Sequence, residues 1–171
     1  GFVEVLKTGL LEGGSLWELV REMDIVDPGA VDDVIFRCAQ YKCRIVAADE
    51  KDKGIRQVLN LGHTVGHAIE TVTDYAYKHG EAVGLGLLAV LRLSGAESLR
   101  AEVEEILRRY GLPTTLKREA GVDEILTTLE RDKKRTAAGV GFVLLSEPGQ
   151  PRPHQLVPPD EVRGAVEELY G

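Results

Sequence analysis

Residues 59–70 read LNLGHTVGHAIE, and this stretch combines a helical pattern with chemically active side chains. His63 and His67 are spaced i and i+4, which places both imidazoles on one face of a helix. His79 follows in the sequence HGEAV, so three of the 4 histidines in the chain lie between residues 63 and 79. Imidazole is the commonest ligand for zinc and related metals. The stretch therefore predicts a helix that contributes either to a metal site or to a packed histidine pair.

The spacing of these histidines does not identify the complete ligand set. A catalytic zinc ion usually takes three protein ligands and leaves one position for substrate. His63 and His67 with one carboxylate would satisfy that number. A hydrogen-bonded pair of histidines on a half-buried helix fits the same spacing, and no second motif points to a third ligand. Both interpretations stay open on spacing alone.

Glycines crowd the same region of the chain. A glycine inside a helix is less favourable than alanine by about 1 kcal/mol, so a cluster of them needs a reason. The cluster indicates helices that pack unusually close together, or backbone that approaches a ligand. Its members are Gly62, Gly66, Gly80, Gly84 and Gly86.

Apolar residues recur at helical spacing through most of the sequence, which predicts a mainly α-helical domain. Ser15 and Glu18 have the spacing of a capping box, so a helix is expected to begin there. Asp27 followed by Pro28 predicts the start of the next helix. Further helices are expected over residues 62–72, 81–97, 99–110 and 123–129.

One small β-hairpin is expected near the end of the chain. Residues 140–145 are apolar and rich in strand formers, and a weaker run at residues 154–157 follows the turn sequence EPGQ. A glycine-rich strand-to-helix fingerprint for a dinucleotide does not occur. The 171 residues are thus expected to form one multi-helix domain with one hairpin and no parallel sheet.

The composition argues against several classes of partner. A net charge of -7 disfavours a general nucleic-acid binder, because phosphate backbones are held mainly by Lys and Arg. The longest apolar run, residues 82–91, is much shorter than the roughly 20 residues that a membrane span needs. No secretory signal pattern is visible, so a cytoplasmic location is expected. Cys38 and Cys43 fit neither a zinc knuckle nor a disulfide framework and are expected to be reduced.

Several cations lie beside apolar segments and form a second candidate set: Lys7, Lys42, Arg56, Lys133 and Lys134. Each alone is typical of a solvated surface charge. Arg56 and Asn60 are spaced i and i+4, which would aim both along a helix face that leads to His63. A metal centre combined with several cations favours an anionic, polyhydroxylated substrate such as a sugar phosphate.

These motifs resemble those of the 3-dehydroquinate synthases, a family of sugar phosphate cyclases. Residues 59–70 are similar to the family's main histidine motif and residues 79–83 to its second histidine motif. The other matches follow in family order: EVLK at 4–7, VAADE at 46–50 with Gly54 and Arg56, RDKK at 131–134 and FVLL at 142–145. The resemblance therefore covers most of the chain.

The resemblance implies a ligand set that differs from the one favoured by spacing. It implies that Glu4, His63 and His79 hold Zn2+ or another divalent metal. His67 becomes a residue that handles substrate protons or phosphate rather than a ligand. The implied substrate contacts are Lys7, Lys42, Arg56, Asn60, His67 and Lys133, with Lys134 as the alternative to Lys133; of these, Lys7, Arg56 and His67 are implied to be catalytic.

The resemblance also implies a larger protein with a defined reaction. It makes residues 1–171 the C-terminal metal- and substrate-binding domain of a homodimeric enzyme whose N-terminal NAD-binding domain lies outside this sequence. With NAD, such an enzyme converts 3-deoxy-arabino-heptulosonate 7-phosphate to 3-dehydroquinate and phosphate. This chain alone is then expected to be inactive. The alternatives are another cyclase such as a 2-deoxy-scyllo-inosose synthase, a metal-dependent polyol dehydrogenase, or an isolated metal-binding domain without activity.

Overall fold

The computed structural model describes residues 1–23, 28–51, 54–117, 120–135 and 141–171, with the backbone alone for residues 28 and 132–135. Helices dominate these residues, which confirms the expected fold class. The α-helices are α1 (Phe2–Glu12), α2 (Gly14–Glu22), α3 (Pro28–Ala48), α4 (His63–Val72), α5 (His79–Leu93), α6 (Glu97–Arg109), α7 (Val122–Arg135) and α8 (Pro159–Glu167). Two 3-10 helices complete the helical part, Ile55–Asn60 and Glu168–Tyr170.

The predicted hairpin is present as two antiparallel strands, β1 (Phe142–Leu145) and β2 (Pro151–Gln155). All four β1 residues are buried, whereas β2 alternates between partly buried and exposed positions. The hairpin is anchored to the helices where the Leu145 N–H donates to Ser94 Oγ at 2.9 Å. β2 begins three residues before the predicted second strand, and Val140 lies outside the described residues. Within the described part of the chain these two strands form the whole sheet.

α5 is the central helix of the domain. Every residue from Ala82 to Leu91 is buried, because α5 contacts α1, α4, α6, α8 and β1. A leucine that leaves water completely contributes about 1.5–3 kcal/mol, so this run supplies much of the core. None of the helices in the described residues has both the length and the apolar composition needed to cross a bilayer.

α4 and α5 pack closely enough to require glycine at their contact. A Cβ added at Gly86 would lie 2.0 Å from the Gly62 carbonyl oxygen, and one at Gly66 would lie 3.1 Å from the Val83 Cα. Gly62 also has a φ of 75°, in the left-handed region where side chains are disfavoured. The glycine cluster therefore reflects close helix packing, and the contact joins the two helices that carry the three clustered histidines.

One expected helix start and one expected side-chain alignment differ from the structure. α2 begins at Gly14 with Gly13 as its N-cap, so Ser15 lies inside the helix and forms no capping box. The reason is tertiary: a Cβ on Gly13 would lie 2.7 Å from the Gly149 backbone, and this contact fixes where the chain turns. Residues 55–60 form a 3-10 helix, in which residues four apart lie on different faces, so the predicted alignment of Arg56 with Asn60 is wrong. Asp27 lies outside the described residues.

The C-terminal helix α8 was not predicted. Its start has a proline at the first helical position, and its apolar residues Val162, Ala165 and Val166, continued by Leu169 in the following 3-10 helix, recur at helical spacing and are buried. That pattern is sufficient for a helix prediction. α8 packs against α5 and α7.

Candidate metal centre

Three helix ends bring Glu4, His63 and His79 together. Glu4 lies in the first turn of α1, and the two histidines are the first residues of α4 and α5. Glu4 Oε1 is 3.4 Å from His63 Nε2 and 3.9 Å from His79 Nε2. All three ligand atoms lie within 4.8 Å of one another. Ligand atoms about 2.1 Å from a tetrahedral zinc ion are about 3.4 Å apart, so the trio is close to, and slightly more open than, the dimensions that one ion requires.

The Glu4 carboxylate provides an independent test of that fit. Its Oε1 atom is buried and has no hydrogen-bond donor within the part of the chain that the structure describes. A buried anionic oxygen without a partner is strongly unfavourable. A divalent cation between this oxygen and the two Nε2 atoms would satisfy it. Oxygen and imidazole nitrogen are also ligand types that zinc accepts.

The outward atom of each of the three side chains has its own partner. Glu4 Oε2 pairs with the Lys7 ammonium at 2.9 Å. His63 Nδ1 lies 3.1 Å from the Leu61 carbonyl oxygen, and His79 Nδ1 lies 3.1 Å from Glu70 Oε1. Both acceptors hold the Nδ1 proton, which leaves the Nε2 lone pair of each imidazole directed towards Glu4. The site thus has an inner set of three candidate ligand atoms, Glu4 Oε1 and the two Nε2 atoms, that face one another.

The ionisation of these groups favours cation binding. Burial, followed by the charge of Lys7, lowers the pKa of His63 to about 4, so its imidazole is neutral at pH 7. Burial by itself would raise the pKa of Glu4, but the hydrogen bond and charge of Lys7 and the two imidazoles hold that pKa below its ordinary value. Burial lowers the pKa of Lys7, while its bond to Glu4 opposes the shift. A neutral imidazole and an ionised carboxylate are the forms that bind metal.

Lys7 is a buried residue rather than a surface charge. It is 5% exposed, and its ammonium donates to the Leu59 carbonyl oxygen at 2.8 Å in addition to its pair with Glu4. Lys7 therefore links the candidate ligand Glu4 to the 3-10 helix that carries Arg56 and Asn60. These contacts use two of the three N–H directions of its ammonium group within the domain. The contact of Lys7 with substrate stays a prediction.

His67 lies beside the trio, one turn along α4. Its ring centroid is 5.3 Å from that of His63 and 6.0 Å from that of His79, and the residue is exposed. His67 can be grouped with Glu70 and His79 as a second set of ligand atoms, but that set shares His79 with the first. From this position His67 could contact, on the solvent side, a molecule bound at the metal centre.

The predicted cations are less closely assembled. Lys42 on α3 is exposed and lies near enough to Lys7 for its charge to lower the pKa of Lys7. Arg56 donates to the Glu50 carbonyl oxygen at 3.3 Å, and Asn60 donates to Gln57 Oε1 at 3.1 Å. The side chains of Lys133 and Lys134 on α7 lie outside the described residues. Lys42 approaches Lys7, and Arg56 and Asn60 belong to the 3-10 helix whose Leu59 carbonyl oxygen accepts from Lys7.

Comparison with known proteins places this arrangement in a family. Residues 1–135 match the protein family described as 3-dehydroquinate synthase C-terminal. The chain belongs to that family. Its relatives include the 3-dehydroquinate synthases of Leptospira interrogans, 39% identical over 161 residues, and Pyrobaculum neutrophilum, 41% identical over 160 residues. These alignments cover 88% and 87% of this chain but 44% and 46% of the relatives, so the chain spans less than half of their length.

Solved structures of two sugar phosphate cyclases share the fold. A 2-epi-5-epi-valiolone synthase from Streptomyces hygroscopicus, solved with NAD+ and Zn2+ bound, superposes with a TM-score of 0.83 at 21% identity. A 2-deoxy-scyllo-inosose synthase, solved with carbaglucose-6-phosphate, NAD+ and Co2+, gives 0.77 at 21% identity. Both matches cover 98% of this chain and 49% or 50% of the other. At this identity the likeness shows the shared fold alone.

Two residues within the matched family segments received no role from the sequence. Glu70 ends the main histidine motif, and its carboxylate contacts His79. Asp49 precedes the 3-10 helix, and its Oδ2 accepts the backbone N–H groups of Gly54 at 2.7 Å and Arg56 at 3.1 Å. An aspartate placed shortly before a helix is a known capping signal and could have been used. Glu70 gives no such signal, because its partner lies across a turn.

Proposed function

We propose that this chain is the metal- and substrate-binding half of a 3-dehydroquinate synthase. The proposed reaction converts 3-deoxy-arabino-heptulosonate 7-phosphate to 3-dehydroquinate and phosphate in the shikimate pathway. The observation that carries the proposal is the convergence of His63 and His79 on a buried oxygen of Glu4 that has no hydrogen-bond donor among the described residues. The names of the relatives that share 36–41% of its residues support the choice of reaction.

In this proposal Glu4, His63 and His79 hold Zn2+ or a similar divalent ion. When bound, the ion supplies Lewis acidity, which lowers the pKa of a coordinated substrate hydroxyl and polarises the ketone formed from it. The Zn2+ and Co2+ in the two structurally similar cyclases support this assignment. The contacts of Lys7, Leu61 and Glu70 keep the three ligand atoms directed inward before any ion binds.

The remaining candidate residues are proposed to bind and orient the substrate. Lys42, Arg56 and Lys133 would pair with its carboxylate and phosphate, and the Asn60 amide would bind a hydroxyl. Such fixed contacts hold one flexible substrate in position for successive steps. His67 is proposed to move a proton at the substrate or at its phosphate, since its exposed imidazole lies beside the metal ligands. Lys7 orients Glu4 and would offer its third N–H to the substrate.

The redox chemistry is proposed to reside in a further domain. NAD supplies the hydride acceptor, which no side chain of this chain could replace. We propose that a nucleotide-binding domain holds NAD against this one, that the whole enzyme is a homodimer, and that it works in the cytoplasm. The NAD+ in the two similar structures and the greater length of the curated relatives support the additional domain.

A second candidate function is that of a 2-deoxy-scyllo-inosose synthase. The fold likeness to that enzyme, with a TM-score of 0.77, is the observation in its favour. The relatives named as dehydroquinate synthases are closer in sequence, at 39% and 41% against 21% identity. The two functions differ in substrate, so turnover can separate them.

The test joins this chain to a nucleotide-binding domain taken from the Leptospira interrogans relative. Phosphate release is measured with NAD and zinc, first with the heptulosonate phosphate and then with glucose 6-phosphate. We expect release from the heptulosonate phosphate in the fused protein and none from the 171-residue chain alone. Preferred turnover of glucose 6-phosphate would favour the second function. Turnover by the chain alone would contradict the proposal that the redox chemistry requires a further, nucleotide-binding domain.

A further inference from the structure

We propose that Glu70 is a positioning residue of the metal centre. Its buried carboxylate holds the imidazole of His79 so that Nε2, rather than Nδ1, is presented to Glu4 and His63. This inference rests on the proposed metal centre but assigns a role to a residue outside the ligand set. Glu70 acts through His79 and would touch neither the metal ion nor the substrate.

The burial of Glu70 is the first reason. Among the residues that the structure describes, the buried charged side chains are Lys7 and Glu70, at 5% and 8% exposure. A carboxylate in such a position is unfavourable unless it is hydrogen-bonded. Lys7 pairs with Glu4 and a backbone carbonyl, whereas the side-chain contact of Glu70 is with His79 Nδ1 at 3.1 Å. The two buried charges thus each support one candidate ligand.

The exposure of His79 is the second reason. Its side chain is 49% exposed, compared with 14% for His63, so packing alone constrains the ring of His79 less. The Glu70 carboxylate accepts a hydrogen bond from the Nδ1–H group and thereby fixes both the tautomer and the direction of the ring. His63 receives the same support from the Leu61 carbonyl. A carboxylate differs from a carbonyl in its negative charge, which makes the opposite ring nitrogen a stronger ligand.

The turn between α4 and α5 is built around the same glutamate. Asp74 and Tyr75 both have left-handed backbone conformations, with φ of 47° and 59°. They bend the chain so that the Tyr75 N–H donates to the Glu70 carbonyl oxygen at 2.8 Å. The chain then returns to place His79 at the start of α5, against the Glu70 side chain. Backbone and side chain of Glu70 therefore both position the residue that contributes the third ligand.

A competing role for Glu70 is direct coordination. His67, Glu70 and His79 form the second group of ligand atoms, and an ion held there would use Glu70 as a ligand. The two roles differ in the residues on which binding depends. Positioning requires Glu4 and His63 and tolerates loss of His67, whereas direct coordination requires His67.

The experiment titrates the 171-residue chain with Zn2+ and with Co2+, whose absorption spectrum reports the ligand geometry. The variants are Glu70→Ala, Glu70→Gln, His67→Ala and His79→Ala, with Glu105→Gln on the exposed face of α6 as the matched control. Loss of an outer partner of a metal ligand weakens binding by about 10–100-fold. We expect Glu70→Ala near the upper end and a changed Co2+ spectrum, Glu70→Gln near the lower end, and Glu105→Gln and His67→Ala unchanged.

The outcomes separate this inference from the proposed function. If the unaltered chain binds and His79→Ala does not, but both Glu70 variants bind within about twofold of the unaltered chain, positioning by Glu70 is refuted and the metal centre stands. A loss in His67→Ala as large as that in Glu70→Ala would make Glu70 a ligand and would also overturn the inference. Absence of binding by the unaltered chain would overturn both proposals. Should Glu70→Ala fail to fold, as judged by circular dichroism, the Glu70→Gln affinity and spectrum decide.

Discussion

The two sides of the candidate site are built in different ways. On one side, the ends of α1, α4 and α5 hold Glu4, His63 and His79 through contacts with buried or backbone partners. On the other side, α3 and the 3-10 helix carry Lys42, Arg56 and Asn60, which are wholly or partly exposed. We refer to these as the ligand side and the cation side.

The difference indicates which part of the site the domain can form before a substrate binds. The atoms of the ligand side already face one another within 4.8 Å. Arg56 and Asn60 on the cation side bind acceptors in or beside their own segment, the Glu50 carbonyl and Gln57. Freeing such exposed groups for a substrate is inexpensive, because surface hydrogen bonds and ion pairs contribute little. We therefore expect the ligand side to be preorganised and the cation side to be ordered by the substrate.

The largest effect is expected from removing a candidate ligand. His79→Ala should weaken zinc binding by about 100- to 1,000-fold, since sites with four ligands bind with about 10–16 kcal/mol, or roughly 2.5–4 kcal/mol per ligand. His67→Ala should leave the affinity within about threefold, because its ring lies outside the trio. Competition with a chelating dye measures both. Equal losses in the two variants would instead favour an ion held by His67, Glu70 and His79.

The next effect concerns the contact that brings the ligand side together. Gly86→Ala would place a Cβ 2.0 Å from the Gly62 carbonyl oxygen, which is backbone and cannot rotate away. We expect a loss of about 3 kcal/mol or more in the free energy of unfolding. Gly80→Ala on the same helix is the control, because its Cβ would meet Val3 at an ordinary 3.8 Å. Urea unfolding of the metal-free protein compares them, and similar midpoints would contradict the close packing.

Metal addition should stabilise the domain by a smaller amount. At a free zinc concentration about 100 times the dissociation constant, the gain is about 2.7 kcal/mol, which raises the melting temperature by roughly 5–10 °C for a chain of this size. EDTA should reverse the shift. The shift should persist in Lys42→Ala and vanish in His79→Ala. A shift that survives in His79→Ala would place the stabilising ion elsewhere.

The smallest effects are expected on the cation side. Lys42→Ala should change the free energy of unfolding by less than about 0.5 kcal/mol and leave zinc affinity unchanged, because the side chain is exposed. Its affinity for inorganic phosphate should fall about fivefold, corresponding to about 1 kcal/mol for an exposed charge. Lys117→Ala is the control, an exposed lysine of the segment after α6. Strong destabilisation by Lys42→Ala would show that the cation side is also built into the fold.

The sequence predicted the helical architecture because helical periodicity is a local property. The apolar run at residues 82–91 indicated a core helix, and α5 is buried over that whole run. The glycine cluster correctly indicated close packing. The predicted start of α2 was wrong because a contact between Gly13 and Gly149, far away in sequence, overrides the capping preference of Ser15. Local patterns therefore identify helices but not the contacts that set their ends.

The candidate site was only partly accessible to the same reasoning. Spacing favoured His63 with His67, whereas the structure brings His63 to His79 and to Glu4 on another helix. His63 begins α4, so it lies next to the beginnings of α1 and α5, and His67 is one turn further along. Nothing in the local pattern of α1 marks Glu4 as a partner. The resemblance to a family supplied that assignment, and Glu70 emerged only from the contact across the α4–α5 turn.

The 3-10 helix Ile55–Asn60 has a consequence for the energetics of the whole site. Arg56 and Asn60 belong to it, while the carbonyls at and just beyond its end, of Leu59 and Leu61, accept hydrogen bonds from Lys7 and His63. An anion that orders this segment would thus also steady two groups that support the ligand side. Such coupling is reciprocal, so a bound metal must raise anion affinity by the same factor by which the anion raises metal affinity. The metal and the anion would then bind cooperatively, because the 3-10 helix and the adjoining Leu61 couple the two sides of the site.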